Sequence, residues 1–257
     1  MKLICPICKN PLTKVGKSAT CMNHHTFDYA KQGYLNLLLK QSKDHGDNVD
    51  MVKARTDFLN TDSYQFLKNR IAEIFLENKT NVLADLGCGE GYYTKDIQVV
   101  EKYGFDLSKD ALKHASKTDS STQYVVASIF HLPLESDSCD GALTCFAPAA
   151  TEELERILKK DGIFVFVTPG PKHLFEMKEV LYEKPYENVM EDLGISLELV
   201  SDEMIENTFL SDPTTSCNLF LMTPYAYKTS ITGKDKLVKA GTIKMTAQFR
   251  IRVYKKK

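Results

Sequence analysis

The sequence predicts a doubly wound α/β domain, built on a mostly parallel sheet and preceded by a small cysteine-rich module. Between residues 81 and 170, short apolar segments alternate with amphipathic segments of helical period, which is typical of strand–helix–strand units. The first apolar segment runs into a glycine-rich stretch, DLGCGEG, of the kind that joins a strand to a ligand-binding turn. Three cysteines and two histidines are clustered near the start of the chain. These features indicate two units of different size and chemistry.

Length and composition are those of a folded chain without a membrane segment. The chain has 257 residues, of which 43% are apolar, enough for one large domain with a small module. Its start, MKLICPIC, lacks the apolar run of a signal peptide, and no later segment is long and apolar enough to cross a bilayer. We therefore expect a cytoplasmic protein with no membrane contact. In that reducing compartment, the seven cysteines favour metal ligation over disulfides.

Charge is unevenly distributed along the chain, although the net charge is only −1. Residues 1–60 carry nine Lys/Arg against five Asp/Glu, and residues 228–257 carry ten against one, so the middle carries a net −14. Basic surfaces attract phosphate backbones and acidic surfaces repel them, so a nucleic acid would meet the ends of the chain. For the final KKK alone, a solvated tail is the simpler interpretation.

The opening segment, CPICKNPLTKVGKSATCMNHHTFD, has the ligand types and spacing of a zinc ribbon. Cys5 and Cys8 form a C-x2-C pair, and Cys21 is followed by His24 and His25. Thiolate and imidazole ligands suit tetrahedral Zn²⁺, and four protein ligands leave no open position, which indicates a structural metal. Buried, inert cysteines are the alternative, and this spacing argues against them. Spacing alone does not choose between the two histidines.

The glycine-rich stretch has the features of a cofactor-binding loop. Asp85 precedes Gly87, Gly89 and Gly91 at the end of a predicted strand. A bare G-x-G-x-G also occurs in dinucleotide-binding enzymes and in tight turns. The preceding acid instead matches the D-x-G-x-G-x-G signature of S-adenosylmethionine (SAM) methyltransferases. The next apolar segment ends in Asp106, where a carboxylate can accept both ribose hydroxyls of such a cofactor.

The remaining elements complete the predicted sheet. The alternating run KMTAQFRIRVYK, 244–255, predicts an antiparallel edge strand. Such a C-terminal strand is found in the methyltransferase version of this sheet and not in the dinucleotide version. We therefore expect seven strands, mostly parallel, in a Rossmann-like methyltransferase fold. The other predicted elements are a helix at 109–114, a strand at 123–127, a strand ending at 145–148, a helix at 152–159 stopped by Asp161-Gly162, and a strand at 163–170.

Three motifs in order resemble one enzyme family over nearly the whole chain, from Cys5 to beyond Met222. They are CPIC…C…H-x-F-D-x-A-K-x-G-Y-x-N-L, DLGCGEGYYT and TPGPKHL. Together they resemble the RlmA family of 23S rRNA (guanine-N1)-methyltransferases. The resemblance implies a zinc-binding module at 1–40 and a SAM-dependent methyltransferase domain at 41–257. The module is basic near its metal ligands, with Lys2, Lys9, Lys14 and Lys17, which predicts that it recognises RNA. The resemblance further implies a guanine in the helix 35 hairpin of 23S rRNA as target, and a homodimer.

The resemblance also implies residue roles. The family's histidine ligand is followed by x-Phe-Asp, a pattern that His25 fits and His24 does not. The implied zinc ligands are Cys5, Cys8, Cys21 and His25. The implied cofactor contacts are Tyr64, Gly89, Glu90 and His173, in addition to Asp85, Gly87, Gly91 and Asp106. Without the resemblance, Tyr64 would be interpreted as covering the core edge and His173 as a residue at a helix start.

The substrate pocket is expected at the carboxyl ends of the strands, where this fold binds its ligands. There Phe146 follows the fourth strand and is the candidate for stacking on a flipped base. Glu152, a few residues later, is a candidate base, although a carboxylate at a helix start has a simpler role in stabilising the helix. The sequence does not otherwise identify the catalytic base.

Three other functions are compatible with parts of the sequence. A small-molecule methyltransferase of the quinone or sterol type also contains LPLESDSCDGAL-like segments, but such enzymes usually lack a metal ribbon. A second alternative is methylation of a neighbouring guanine in the same hairpin, a branch of the family tied to macrolide resistance. The third is a zinc-dependent RNA-binding module with an inactive Rossmann-like domain, against which the intact Asp85, glycines and Asp106 argue.

Overall fold

The computed structural model describes residues 2–39, 48–190, 192–223, 225–228 and 232–257, so the module boundary expected at 40/41 lies outside the described residues. The strands are β1 (Thr13–Val15), β2 (Ser18–Thr20), β3 (Thr26–Asp28), β4 (Leu35–Asn36), β5 (Val82–Leu86), β6 (Glu101–Asp106), β7 (Thr122–Val126), β8 (Cys139–Cys145), β9 (Leu158–Pro169), β10 (Glu198–Ser211) and β11 (Ile243–Lys255). The helices are α1 (Val49–Leu59), α2 (Gln65–Glu77), α3 (Lys109–Thr118), α4 (Thr151–Ile157), α5 (Phe175–Leu181), α6 (Pro213–Leu221), α7 (Tyr225–Lys228) and α8 (Thr232–Ala240).

The large sheet confirms the predicted class, a Rossmann-like, mostly parallel sheet with an antiparallel C-terminal strand. Its order is β10-β11-β9-β8-β5-β6-β7-β4, and all pairs from β9 to β4 are parallel. Strand β11 runs antiparallel to both β9 and β10. The placement of β11 at the edge was wrong, because β10 covers its outer side. Strand β10 is exposed at most of its positions, so its sequence lacks the alternation that would have predicted it.

An eighth strand comes from the N-terminal segment and ties it to the large sheet. In β4, Leu35 and Asn36 pair in parallel with Val125 and Val126 of β7. This short pairing could not be predicted, since two residues carry no periodicity. It extends the sheet by one strand beyond the seven that we expected.

The ribbon of β1, β2 and β3 packs directly on the large sheet. Its residues Leu3 and Leu12 are buried in the same apolar cluster as Phe105 of β6. Backbone hydrogen bonds join Ile4 N to Pro133 O at 2.9 Å and Glu135 N to Lys2 O at 3.0 Å. The stability of the ribbon is therefore coupled to that of the sheet by a shared core.

Helix α4 is shorter than predicted, ending at Ile157, two residues before Lys159. Leu158 already pairs with Cys139 of β8, so the chain turns directly from helix into strand. Asp161 adopts a left-handed conformation, φ 64°, inside β9, and Gly162 follows it. The Asp-Gly pair therefore forms an irregularity within β9 and does not end the helix.

The basic C-terminus is neutralised by acidic groups of the body. Lys256 Nζ lies 2.8 Å from Asp137 Oδ1, and it also donates to the carbonyl oxygens of Glu155 and Leu158. Lys255 pairs with Asp161 at 3.0 Å. Two of the last three lysines are therefore paired within the chain. None of the helices in the described ranges is long and apolar enough to cross a bilayer.

Candidate metal centre and cofactor cavity

The four predicted metal ligands meet at one point of the ribbon. Their ligand atoms all lie within 4.8 Å of one another. Nδ1 of His25 is 3.5 Å from the sulfurs of both Cys5 and Cys21, and the sulfurs of Cys8 and Cys21 are 3.6 Å apart. Around a tetrahedral zinc with bonds of about 2.3 Å to sulfur and 2.0–2.1 Å to nitrogen, neighbouring ligands lie roughly 3.5–3.8 Å apart. The arrangement therefore fits structural Zn²⁺, with Nδ1 as the histidine ligand.

A tight turn determines which histidine faces the metal. His24 has a left-handed backbone, φ 60°, and its N–H donates to Cys21 O at 2.9 Å. Cys21 N–H in turn donates to His25 O at 3.2 Å. This turn leaves His24 exposed and points the His25 ring at the sulfurs. At the other knuckle, the backbone N–H of Asn10 lowers the pKa of the Cys8 thiol to about 6, which favours the thiolate that binds metal.

A cavity of about 900 Å³ opens at the carboxyl ends of the parallel strands. The predicted cofactor residues that line it are Tyr64, Asp85, Gly87, Gly89, Glu90, Asp106 and His173. Phe146 lines it as well. Its volume is within the range of small-molecule sites and is large enough for a nucleoside-sized ligand with space beside it.

The glycines of the loop have different roles. Gly87 has φ 81°, and a Cβ there would lie 2.5 Å from the side chain of Ala147, which also lines the cavity. Gly91 has φ 77° and does not line the cavity. A Cβ at Gly91 would lie 2.3 Å from Tyr124 Oη, so this glycine allows the loop to pack on β7. Its predicted contact with the cofactor remains a prediction, while its packing role is explicit in the structure.

Asp106 is oriented by backbone N–H groups. Its Oδ2 accepts from Gly89 N at 2.9 Å and its Oδ1 from Ser108 N at 2.8 Å. An ionised carboxylate has about four acceptor positions, so capacity for further donors remains. The side chain is thus fixed in place and can still accept two hydroxyl groups, as ribose recognition requires.

Two other carboxyl groups of the cavity titrate near neutral pH. Burial raises the pKa of Asp85 and of Glu90 to about 7 in each case. Thr94 Oγ1 donates to Asp85 Oδ2, whereas Asp85 Oδ1 has no hydrogen-bond partner among the residues that the structure describes. Glu90 accepts from Thr56 Oγ1 of α1 at 3.0 Å. Asp85 Oδ1 is therefore a buried acceptor that none of the described residues uses.

Of the two candidate substrate residues, Phe146 lines the cavity and Glu152 is not among the lining residues. Phe146 has a left-handed backbone, φ 59°, which is rare for an aromatic residue and is typical of functional sites. Its ring is 41% exposed and lies 5.3 Å from the ring of Phe249 and 6.1 Å from that of Tyr93. Glu152 is exposed in the first turn of α4 and is not among the cavity residues, which favours the helix-stabilising role.

Sequence reasoning missed several polar residues of the cavity, among them Arg55 and Tyr93. Arg55 lies in α1, 30 positions before the loop that it faces, and no spacing rule links the two. Tyr93 directly follows the glycine loop, and its hydroxyl has no hydrogen-bond partner within the described part of the chain. The proximity of Tyr93 to the loop was the available signal, whereas Arg55 gave none.

Comparison with known proteins gives matches both for the segment that contains the metal centre and for the segment that contains the glycine loop. A family model described as "RlmA, N-terminal", a zinc ribbon, matches residues 3–45, and one described as "Methyltransferase domain" matches residues 84–166. The 23S rRNA (guanine(748)-N(1))-methyltransferase of Streptomyces fradiae is 31% identical over 224 residues, which cover 82% of this chain and 80% of its own. A Bacillus subtilis chain, whose name assigns it provisionally to the same class of enzyme, is 30% identical over 192 residues, 69% of this chain and 68% of its own.

Proposed function

The chain belongs to the RlmA family of 23S rRNA (guanine-N1)-methyltransferases, and we propose that it methylates N1 of a guanine in the helix 35 hairpin of 23S rRNA. It is a SAM-dependent enzyme with a structural zinc. One observation supports the proposal best: a single cavity contains a carboxylate-rich region suited to SAM and the exposed ring of Phe146, suited to a base.

The carboxylate-rich region would hold SAM, which supplies an electrophilic methyl group on its sulfonium. Asp106 would accept the ribose hydroxyls, since its carboxylate is already oriented by Gly89 N and Ser108 N. Asp85 lines the same region, and its carboxylate would stabilise the amino group electrostatically. Tyr64 and His173, which contact each other in the wall, would close the cavity around the methionine part.

The aromatic region would hold the target base. Guanine inside a hairpin must leave its stack to reach a buried cavity, and Phe146 offers it a replacement stacking surface. Tyr93 packs edge-on against that ring and would hold it in place, with its own hydroxyl buried in the cavity wall. Holding the base at attack distance and excluding water supplies most of the catalysis that methyl transfer needs.

Guanine N1 carries a proton at neutral pH, which must be removed during the reaction. In the ligand-free protein, burial raises the pKa of Asp85 and of Glu90 to about 7 in each case. A cationic ligand beside them favours their ionised form, which is the form that accepts a proton. The cavity therefore contains its own proton acceptors without Glu152.

The ribbon would recognise the RNA. Lys9, Lys14 and Lys17 are exposed around the metal centre, and Lys2 is half-buried at its base. Phosphate contacts of this kind position a nucleic acid without reading its sequence. We assign RNA recognition to residues 1–40 and methyl transfer to 41–257, acting in the cytoplasm as a homodimer, as the family resemblance implies.

Mapping methylation on cellular RNA tests the proposal. A methyl group on N1 blocks Watson–Crick pairing, so reverse transcriptase stops at the modified guanine. We expect a stop in helix 35 that is lost in a deletion strain and restored by the gene. The position of the stop also identifies which guanine is modified, including the neighbouring one tied to macrolide resistance. An unchanged pattern of stops in the deletion strain would exclude 23S rRNA as the substrate and favour a small-molecule substrate of the quinone type.

A further inference from the structure

The charges that line the cavity are strongly unbalanced. Three carboxyl groups face it, those of Asp85, Glu90 and Asp106. Among its described lining residues, Arg55 is the one lysine or arginine. His173 does not add charge, because burial lowers its pKa to about 3. Among the described residues, Arg55 is therefore the cationic partner that this cavity offers to an anionic group of a ligand.

Arg55 is positioned by helix α1 directly over the glycine loop. Its Nη1 lies 3.4 Å from the point that a Cβ on Gly89 would occupy. The neighbouring Thr56 donates to Glu90 at 3.0 Å, which fixes the helix against the loop. Burial raises the pKa of both Glu90 and Asp106, and the positive charge of Arg55 acts in the opposite direction on each. The guanidinium of Arg55 therefore favours the ionised forms of Glu90, in the loop, and of Asp106, at the end of β6.

SAM carries one negative and two positive groups, and the cavity offers a distinct environment for each kind. The sulfonium and the amino group are cations and are stabilised by the carboxylates. The α-carboxylate would be repelled by those same acids. A guanidinium matches a carboxylate in shape as well as charge, with two parallel N–H donors.

We propose that Arg55 binds the α-carboxylate of SAM and thereby makes the site selective for ligands that carry it. This inference rests on the proposed SAM site and adds a specificity-determining residue to it. The remote carboxylate does not take part in methyl transfer. Its fixed position sets the orientation of the methionine chain and hence of the methyl group.

The test compares SAM with decarboxylated SAM, which retains the sulfonium, amino group and nucleoside. We expect the natural protein to bind SAM roughly 10–100-fold more tightly, as for a charge-assisted hydrogen bond. In Arg55→Gln this preference should fall to within about threefold, while the affinity for decarboxylated SAM should not decrease. Arg55→Lys should give an intermediate preference, because it keeps the charge and loses the paired donors. Calorimetric titration gives all the affinities.

Lys53→Gln is the matched control, since Lys53 lies on the exposed side of the same helix and pairs with Asp57. It should leave the preference unchanged. Retained binding of decarboxylated SAM shows that each variant is folded. If Arg55→Gln binds SAM and keeps the full preference, the role of Arg55 is disproved while the SAM site stands. If the natural protein binds neither ligand, the proposed function itself fails.

Discussion

Tyr64 and His173, 109 residues apart in the sequence, meet in the cavity wall with 3.3 Å between Tyr64 Oη and His173 Nε2. Both side chains are buried. Burial, followed by the charge of Lys178, lowers the pKa of His173 to about 3, so the imidazole is neutral at physiological pH. The pair therefore shapes the wall through a neutral hydrogen bond and through packing.

Two substitutions of Tyr64 separate the contribution of its hydrogen bond from that of its packing. Tyr64→Phe removes a neutral hydrogen bond, worth about 0.5–1.5 kcal/mol, so SAM affinity should fall by no more than about tenfold. Tyr64→Ala also removes a ring packed edge-on against Phe58 and Phe249, each 4.9 Å away, and should cost about 3–5 kcal/mol of folding stability. Calorimetry and urea unfolding measure the two effects. A Tyr64→Phe variant as unstable as Tyr64→Ala would contradict this division.

The carboxylates at the strand ends could be predicted from the sequence, because the pattern that identifies them is local. Asp85 and Asp106 each follow an apolar run directly, and parallel strands bring such positions together at one edge of the sheet. The Tyr64–His173 contact depends on packing between distant segments and was not predicted, since the family resemblance implied only that each residue contacts the cofactor. Arg55 could not be predicted, because the path of α1 over the loop is a tertiary property.

Spacing also left the fourth metal ligand open. His24 and His25 are adjacent, and only the backbone turn separates them, with His24 at φ 60°. Non-glycine residues enter that conformation rarely, and nothing in the sequence marks His24 for it. Strand β10 was not predicted, because it is exposed on both faces and its sequence lacks the alternation of apolar and polar residues that indicates a strand.

Replacement of Asp106 should weaken cofactor binding, and urea unfolding checks the fold of the variant, because both oxygens of Asp106 accept from backbone N–H groups. Asp106→Asn keeps the side-chain volume and one oxygen but loses the charge, so SAM affinity should fall roughly 10–100-fold, as expected when charge-assisted hydrogen bonds are lost. Isothermal titration measures the change. Asp110→Asn, on the exposed first turn of α3, is the control and should bind SAM normally. An unchanged affinity of Asp106→Asn for SAM would show that Asp106 does not bind the cofactor.

Replacement of Phe146 should affect the RNA reaction and not the cofactor. Stacking on a base is worth about 1–3 kcal/mol, so Phe146→Ala should lower kcat/KM for an rRNA hairpin by roughly 5–150-fold. SAM affinity should stay within about twofold, because Phe146 would contact only the base. Phe130→Ala is the control, since Phe130 is 53% exposed and lies outside the cavity. Full activity of Phe146→Ala would show that Phe146 forms part of the cavity wall and does not stack on the base.

The buried carboxyl of Asp85 predicts an unusual pH dependence of stability in the ligand-free protein. Its folded-state pKa, about 7, lies above the ordinary value of 3.8, so the folded state binds this proton more tightly than the unfolded state. The contribution of this group to stability is therefore fully present below about pH 4 and is lost as the pH rises through about 7. The loss can reach about 4 kcal/mol at 1.36 kcal/mol per pKa unit.

Asp85→Asn should abolish that loss, because the amide does not ionise and its oxygen can still accept from Thr94. We expect the variant to gain stability relative to the natural protein between pH 4 and pH 8, measured by urea unfolding at each pH. Asp110→Asn should show a constant difference over the same range. A constant difference for Asp85→Asn as well would show that Asp85 is ionised throughout.

The metal centre predicts different roles for two adjacent histidines. His25→Ala removes a ligand atom 3.5 Å from two sulfurs, whereas His24→Ala removes an exposed ring, so His25→Ala alone should lower the zinc content from one ion per chain. Metal analysis of the purified proteins measures this. Loss of zinc should also lower the melting temperature of the whole chain, because Cys5 and Cys21 are buried in the core shared with the large sheet.

Below that melting temperature, His25→Ala should still bind SAM, since the cavity lies at the strand ends and contains no ribbon residue. Binding of the rRNA hairpin should be lost, because the exposed lysines are held in place by the folded ribbon. Lys9→Gln, Lys14→Gln and Lys17→Gln keep the metal and should each reduce the slope of log K against log salt by about 0.7–0.9. A zinc-free variant that methylated the hairpin at the normal rate would show that the ribbon serves another purpose, such as contact between two copies of the chain.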